Sequence, residues 1–183
     1  MNGEQATAHV VSKLEELKID YMLVGAFSSN AYGVIRSTND ADIVVAFKES
    51  DLTRLFKSLG EGFVLDRQML LEGFTGSARH VVKHLESGFD IELFRLNMDP
   101  HHQERFARRR RMQVNEFGRE AWLPTVEDVI IQKLRWARRK DLDDIVNVLI
   151  VSGKLIDWTY VCRWTEQHDT TALLEQLKAE AAG

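Results

Sequence analysis

Two aspartates two residues apart, Asp40 and Asp42, head the apolar run Ala41-Asp42-Ile43-Val44-Val45. Side chains of a strand alternate faces, so both carboxylates point the same way. Crowded carboxylates at a buried edge repel each other and lose hydration. A divalent cation relieves both costs, and oxygen ligands of this kind suit magnesium, with manganese as a substitute. By spacing alone, the pair reads equally well as strand initiation by Asn39 and Asp40 with Asp42 on a solvated face.

A third acid lies on a matching run. In Phe89-Asp90-Ile91-Glu92-Leu93-Phe94, Asp90 and Glu92 share one face and Phe89, Ile91 and Leu93 the other. Beside the first strand, Asp90 completes a three-carboxylate cluster. Such a cluster can hold two magnesium ions, which clamp the attacking and leaving oxygens of an in-line phosphoryl displacement. The alternative is an acidic face on an edge hairpin; Glu92 is assigned to that face or to a supporting shell. Upstream, Val24-Gly25-Ala26-Phe27-Ser28-Ser29 joins an apolar strand to a helix. Gly25 permits a tight turn and close approach of a ligand, and Ala26 keeps the wall thin. Ser28 and Ser29 offer hydroxyls, and a helix start offers free N–H groups. The turn is therefore expected to cradle a triphosphate.

These residues resemble the nucleotidyltransferase superfamily typified by DNA polymerase β. Within it they look closest to small bacterial proteins related to the AbiEii/MenT toxins and the MNT proteins. The likeness rests on Gly25-Ala26, Arg36-Ser37-Thr38-Asn39-Asp40-Ala41-Asp42, Asp90, and a helix carrying Lys133, Arg138, Lys140, Asp141 and Asp144. Ala26 departs from the family, which more often has Gly or Ser there. The resemblance implies that Asp40 and Asp42 bind two magnesium ions and that Asp90 completes the site as the base. It implies nucleotide contacts from Gly25, Ala26, Ser28, Ser29, Arg36, Thr38 and Lys133. The expected reaction moves a nucleoside monophosphate from an NTP such as ATP to a hydroxyl, releasing pyrophosphate. A tRNA end, a protein side chain or a small molecule such as an aminoglycoside can be the acceptor, and a toxin of this type would have an antitoxin partner. A non-catalytic module of the same fold, binding a nucleotide or a partner protein, is the competing reading. A glycosyltransferase with an Asp-x-Asp motif would need a longer chain and would not explain Gly25, Arg36 or Lys133.

Composition bounds these readings. The chain has 183 residues, 44% of them hydrophobic, enough for a core and too many for disorder. Cys162 is the sole cysteine, so no internal disulfide forms. No leader-like or membrane-length apolar run is present, so a cytoplasmic protein with no membrane partner is expected. Net charge is −4, unevenly spread: His101 to Lys140 carries +6 and the remaining residues −10. Arg105 with Arg108–Arg111, and Arg135 with Arg138, Arg139 and Lys140, read as solvated helix faces or as a phosphate-tracking patch beside the cleft. On that charge, a tRNA end is favoured over an antibiotic as acceptor. The histidines lack zinc-ligand spacing and are expected to be core or solvated.

The elements that must position these groups follow from periodicity and stop signals. Helices are expected near 4–18, 27–34, 50–59, 98–110, 126–138, 141–152, 157–167 and 170–181. Strands are expected near 21–24, 41–46, 63–66, 79–85, 89–94 and 112–116, with 121–123 pairing back. The pattern predicts an α/β (α+β) fold: a mixed sheet flanked by helices, then a helical bundle. Residues 1–123 form the expected catalytic core and 124–183 a helical region packed on it, with Gly153-Lys154 the clearest compositional break.

Overall fold

The computed structural model describes residues 1–48, 50–66, 70–71 and 78–183. Helix α1 (Gly3–Glu16) opens with a reciprocal cap. The Asn2 side chain accepts from the Gln5 N–H, and the Gln5 side chain accepts from the Asn2 N–H. Its buried face, Val10, Val11 and Leu14, packs on the sheet. Strand β1 (Tyr21–Val24) is wholly buried and runs directly into helix α2 (Gly25–Asn30). Strand β2 (Asp40–Val45), helix α3 (Asp51–Leu59), strands β3 (Phe63–Leu65), β4 (Leu70–Leu71), β5 (Ala78–His84) and β6 (Asp90–Arg95) complete the sheet region. Helix α4 (Pro100–Arg108) and the hairpin β7 (Arg110–Val114) and β8 (Arg119–Leu123) lead to helices α5 (Val126–Trp136), α6 (Arg139–Ser152), α7 (Trp158–Gln167) and α8 (Thr171–Ala182).

The sheet order is β1-β2-β6-β5-β3, with β4 paired to β5; β7 and β8 form a separate ribbon. All pairs are antiparallel except β2 with β6. A parallel pair needs a long crossover, and residues 46–89 supply it. The fold is thus a mixed α/β sheet flanked by helices. Two apolar clusters hold it. One sits around the sheet, with Leu14, Leu23, Ile43, Ile91 and Leu93, and the other among α5–α8, with Ile130, Ile131, Ile145, Val148 and Val161. Ala31 and Met112 pack against both. Among the described residues no helix is long and apolar enough to cross a membrane.

Several boundaries differ from the periodicity by a few residues, and three departures have a local cause. Helix α2 begins at Gly25 and stops at Asn30, because the Asn30 side chain brackets the next turn: it donates to the Arg36 carbonyl and accepts from the Arg36 N–H. Helix α5 ends at Trp136, where Ala137 takes a left-handed φ of 49°. Strand β4 is two residues long, too short for a period to register.

Candidate active site

The parallel register sets Asp40 opposite Asp90 and Asp42 opposite Glu92. Residues in register on paired strands share a face, so one face carries all four acids. Each is held differently. Thr38 donates its hydroxyl to Asp40 Oδ1 at 2.8 Å. Asp42 lies against Gly25, which has φ +63°; a Cβ there would overlap the Asp42 carboxylate. Asp42 thus fills the space that the missing Cβ of Gly25 leaves on that side. Glu92 accepts two hydrogen bonds from Arg79, at 3.0 and 2.9 Å. Asp90 stands 3.4 Å from Lys83 Nζ at a more open position.

A cleft of about 190 Å³ opens over this face, lined by Asp40, Asp42, Arg79, Glu92, Phe94, Trp136, Arg138 and Lys140. Asp40 and Asp42 are there; Asp90 is opposite Asp40 on the sheet but outside the lining. Glu92, expected on an outer face or in a supporting shell, lines the cleft instead. Its spacing from Asp90 already placed it on the acidic face; the missing information was the register that puts it opposite Asp42.

Asp42 is pushed up to about 7, first by burial and then by the charges of Asp40 and Glu92; Lys140 and Arg138 pull the other way. An acid held back from ionising by burial and by neighbouring carboxylates is the arrangement that a divalent cation relieves. Among the described residues no three His, Cys, Asp or Glu side chains converge closely enough to hold a metal ion by themselves. The oxygens of Asp40 and Asp42 are donors of the kind that suits a magnesium-type ion, which takes one or two carboxylates and fills its remaining positions with water and substrate phosphate.

The expected nucleotide contacts are placed unevenly. Ala26 is buried, and Ser28 and Ser29 turn their hydroxyls back to the Gly25 carbonyl, at 2.9 and 3.1 Å. Arg36 forms a bidentate pair with Asp144, at 2.7 and 2.9 Å. Lys133 is neither on the surface nor free to swing: it is 4% exposed and donates to Asp144 at 2.7 Å and Asp141 at 3.3 Å. Arg138 closes the chain on Asp141 at 2.6 Å. Burial opposes ionisation of Asp144, but Arg36 and Lys133 outweigh it and hold the carboxyl below its ordinary range. This alternating series, Arg36–Asp144–Lys133–Asp141–Arg138, ties the residues before β2 to the α5–α6 junction and delivers Arg138 to the cleft.

The arginine clusters are mostly neutralised. Arg108 reaches Glu127 and Asp128, Arg109 pairs with Asp20, and Arg111 and Arg119 pair with Glu15. Arg108, Arg110 and Arg111 line a separate concavity with Tyr32 and Leu155. Of the +6 window, only Trp136, Arg138 and Lys140 line the carboxylate cleft. His101 and His102 are buried, bonded to Asp128 and to Asn97 and Gln132 respectively.

A family model described as a nucleotidyltransferase of unknown function (DUF6036) matches residues 4–181. No curated protein matches the chain. Its fold is similar to that of the antibiotic-resistance factor ANT(2'')-Ia, with 12% identity over 96% of this chain and 97% of that one and a TM-score of 0.59. It is similar as well to an antigenic nucleotidyltransferase-like protein from Paracoccidioides brasiliensis, with 19% identity over 96% and 92% of the two chains and a TM-score of 0.58. The lincosamide antibiotic adenylyltransferase LnuA, solved with lincomycin bound, shares 14% identity over 82% of this chain and 99% of that one, with a TM-score of 0.56.

Proposed function

The chain belongs to this family of nucleotidyltransferases (DUF6036), and from that premise we propose that it moves a nucleoside monophosphate from an NTP to a hydroxyl of a small molecule, with a magnesium-type ion on Asp40 and Asp42. The observation that carries the reading is the pair Asp40 and Asp42 on one face, opening into a cleft and backed by Gly25. Bound there, the ion would neutralise phosphate charge and ease deprotonation of the acceptor hydroxyl. Asp90, on the same face opposite Asp40, is assigned the acceptor's proton and a share of a second ion in this reading. Thr38 fixes the Asp40 carboxylate. Arg138 and Lys140 stand at the cleft beside Asp42, where phosphate charge would lie, and Arg79 is fixed beside them by Glu92. Lys133 and Arg36 act by holding Asp144, and through it the α5–α6 junction, in place.

The pairing of Arg108, Arg109 and Arg111 with carboxylates supports a small acceptor over RNA, since a polyanion needs uncommitted cations along its path. Two proteins of similar fold are named an antibiotic-resistance factor, ANT(2'')-Ia, and a lincosamide antibiotic adenylyltransferase, LnuA, which favours a hydroxylated small molecule here. A toxin acting on tRNA, with an antitoxin partner, would use the same carboxylates but would leave the paired arginines without a use.

The test incubates the protein with α-phosphate-labelled NTP, magnesium or manganese, and separate pools of aminoglycosides, lincosamides and tRNA. Label should enter a small hydroxylated acceptor, and Asp40→Asn and Asp42→Asn should each lower the rate by about a hundredfold or more. Label entering tRNA alone would overturn the acceptor assignment. No metal-dependent transfer to any pool, including the protein itself, would overturn the activity.

A further inference from the structure

A second concavity, of about 290 Å³, opens at the start of β2 and β6 rather than over the acidic face. The first residues of α1 (Asn2, Gly3 and Glu4), Phe89 and the Ser37-Thr38 turn wall it, and it shares no described lining residue with the carboxylate cleft. A Cβ on Gly3 would overlap the Phe89 ring, so the helix start lies flat against that ring. Phe89 is half-buried and Phe27 reaches the wall from the core, which makes one side apolar. The other side is polar and carries Glu4 and Glu116. Glu116 is held in place by the buried Asn30, whose amide donates to its Oε1 at 2.7 Å. Arg36 is the one cation of the wall among the described residues, and its Nε and Nη2 are spent on Asp144. The positive end of α1 is met by the Asn2–Gln5 cap and by Glu4 in its first turn. The wall thus offers acceptors and an apolar face but no uncommitted cation, which admits neutral or cationic ligands and turns anions away.

Position ties this concavity to the transfer. Thr38 lines it and donates to Asp40, the residue at which the carboxylate cleft ends. Asp90 follows Phe89 in the chain and stands opposite Asp40 in register, so it lies at the boundary between the two spaces. We propose that the concavity holds the acceptor, a single-ring polyol that is uncharged or bears an ammonium group. The volume is at the small end of ligand pockets, roughly 300–1,000 Å³, and suits one ring. A polyol ring would lay its C–H face on Phe89 and turn its hydroxyls or amine toward Glu4 and Glu116. The assignment rests on the transfer set out under Proposed function. In that transfer an acceptor hydroxyl reaching past Thr38 gives its proton to Asp90, and its oxygen bonds the α-phosphorus. The bond from that phosphorus to the bridging oxygen breaks, and its electron pair leaves on pyrophosphate. Glu4 and Glu116 would keep the nucleotide's phosphates out of the acceptor's space.

The test titrates nitrogen-labelled protein with glucosamine, methyl glucoside and glucuronate, one ring at three charges, and follows amide resonances. Glucosamine and methyl glucoside should shift Gly3, Ser37 and Thr38 at millimolar concentration, and glucuronate should bind about tenfold more weakly than glucosamine. Glu4→Lys changes an exposed side chain and should cut the preference for glucosamine over glucuronate about fivefold. Ser37→Trp, also at an exposed position, should block all three sugars. Both variants should melt with wild type and keep its affinity for ATP with magnesium; if Ser37→Trp folds poorly, Glu4→Lys decides alone. Glucuronate binding as tightly as glucosamine, an unmoved preference in Glu4→Lys, or no shift at these residues with any of the sugars would overturn the proposal. Sugar binding at these residues without any transferase activity would retract the proposed function and leave the sugar site standing. Labelled transfer whose acceptor Michaelis constant is unchanged in both variants would do the reverse.

Discussion

In the metal-free protein, raising the pH from about 4 to about 7 should cost the fold up to about 4 kcal/mol at Asp42 alone. The figure follows from an ordinary value of 3.8 raised to about 7, roughly three pH units at about 1.4 kcal/mol each. The sign follows from the native state keeping a proton that the unfolded chain has released. The stability is fully present below about 3.8, falls as pH climbs toward about 7, and is level beyond it. Asp42 keeps some contact with cleft solvent, so the figure is an upper limit. The perturbation that isolates it is Asp42→Asn, which keeps the shape and cannot ionise. Urea unfolding with a chelator should give equal stability for the two proteins near pH 4. Above about pH 7 the Asn variant should be more stable by about 2–4 kcal/mol. Magnesium with NTP should then stabilise wild type and not the variant. Parallel pH profiles, or an Asn variant that is the weaker protein at alkaline pH, would refute the burial of Asp42 beside Asp40 and Glu92.

Two further substitutions probe what holds that carboxylate. Lys133→Met leaves Asp141 and Asp144 with one cation each in a buried setting and should destabilise the fold by about 3 kcal/mol in urea; a loss below about 1 kcal/mol would mean that Arg36 and Arg138 suffice. Gly25→Ala meets both a left-handed φ and the Asp42 carboxylate, so it should cost about 1–3 kcal/mol and lower the transfer rate. A stable, fully active Ala variant would show that Asp42 sits elsewhere during the reaction.

Much of this protein is legible in its sequence because the signals are local. The Asp-x-Asp spacing puts two carboxylates on one strand face wherever the strand goes, and Asp90 and Glu92 repeat the pattern. Gly25 after a buried strand marks a turn of special conformation, and the helices of the second half follow from apolar period, Thr125 and Asp157 as caps, and Gly153 as a stop. Only tertiary structure settled which acids face the cleft. The parallel register of β2 with β6 brings Glu92 opposite Asp42, and a one-residue slip would have turned the whole set away. Charge was the other long-range question. The resemblance offered Arg36 and Lys133 as nucleotide contacts and the charge count offered Arg108–Arg111 as a patch, but Asp144, Asp141, Glu127, Asp20 and Glu15 take most of them up. The reverse holds for Arg105, one charge among many in the sequence, which folding buries with its Nε unbonded among the described residues. Residue type and short-range spacing fix which face a side chain takes. Which opposite charge it meets is decided by register and packing, which only the tertiary structure supplies.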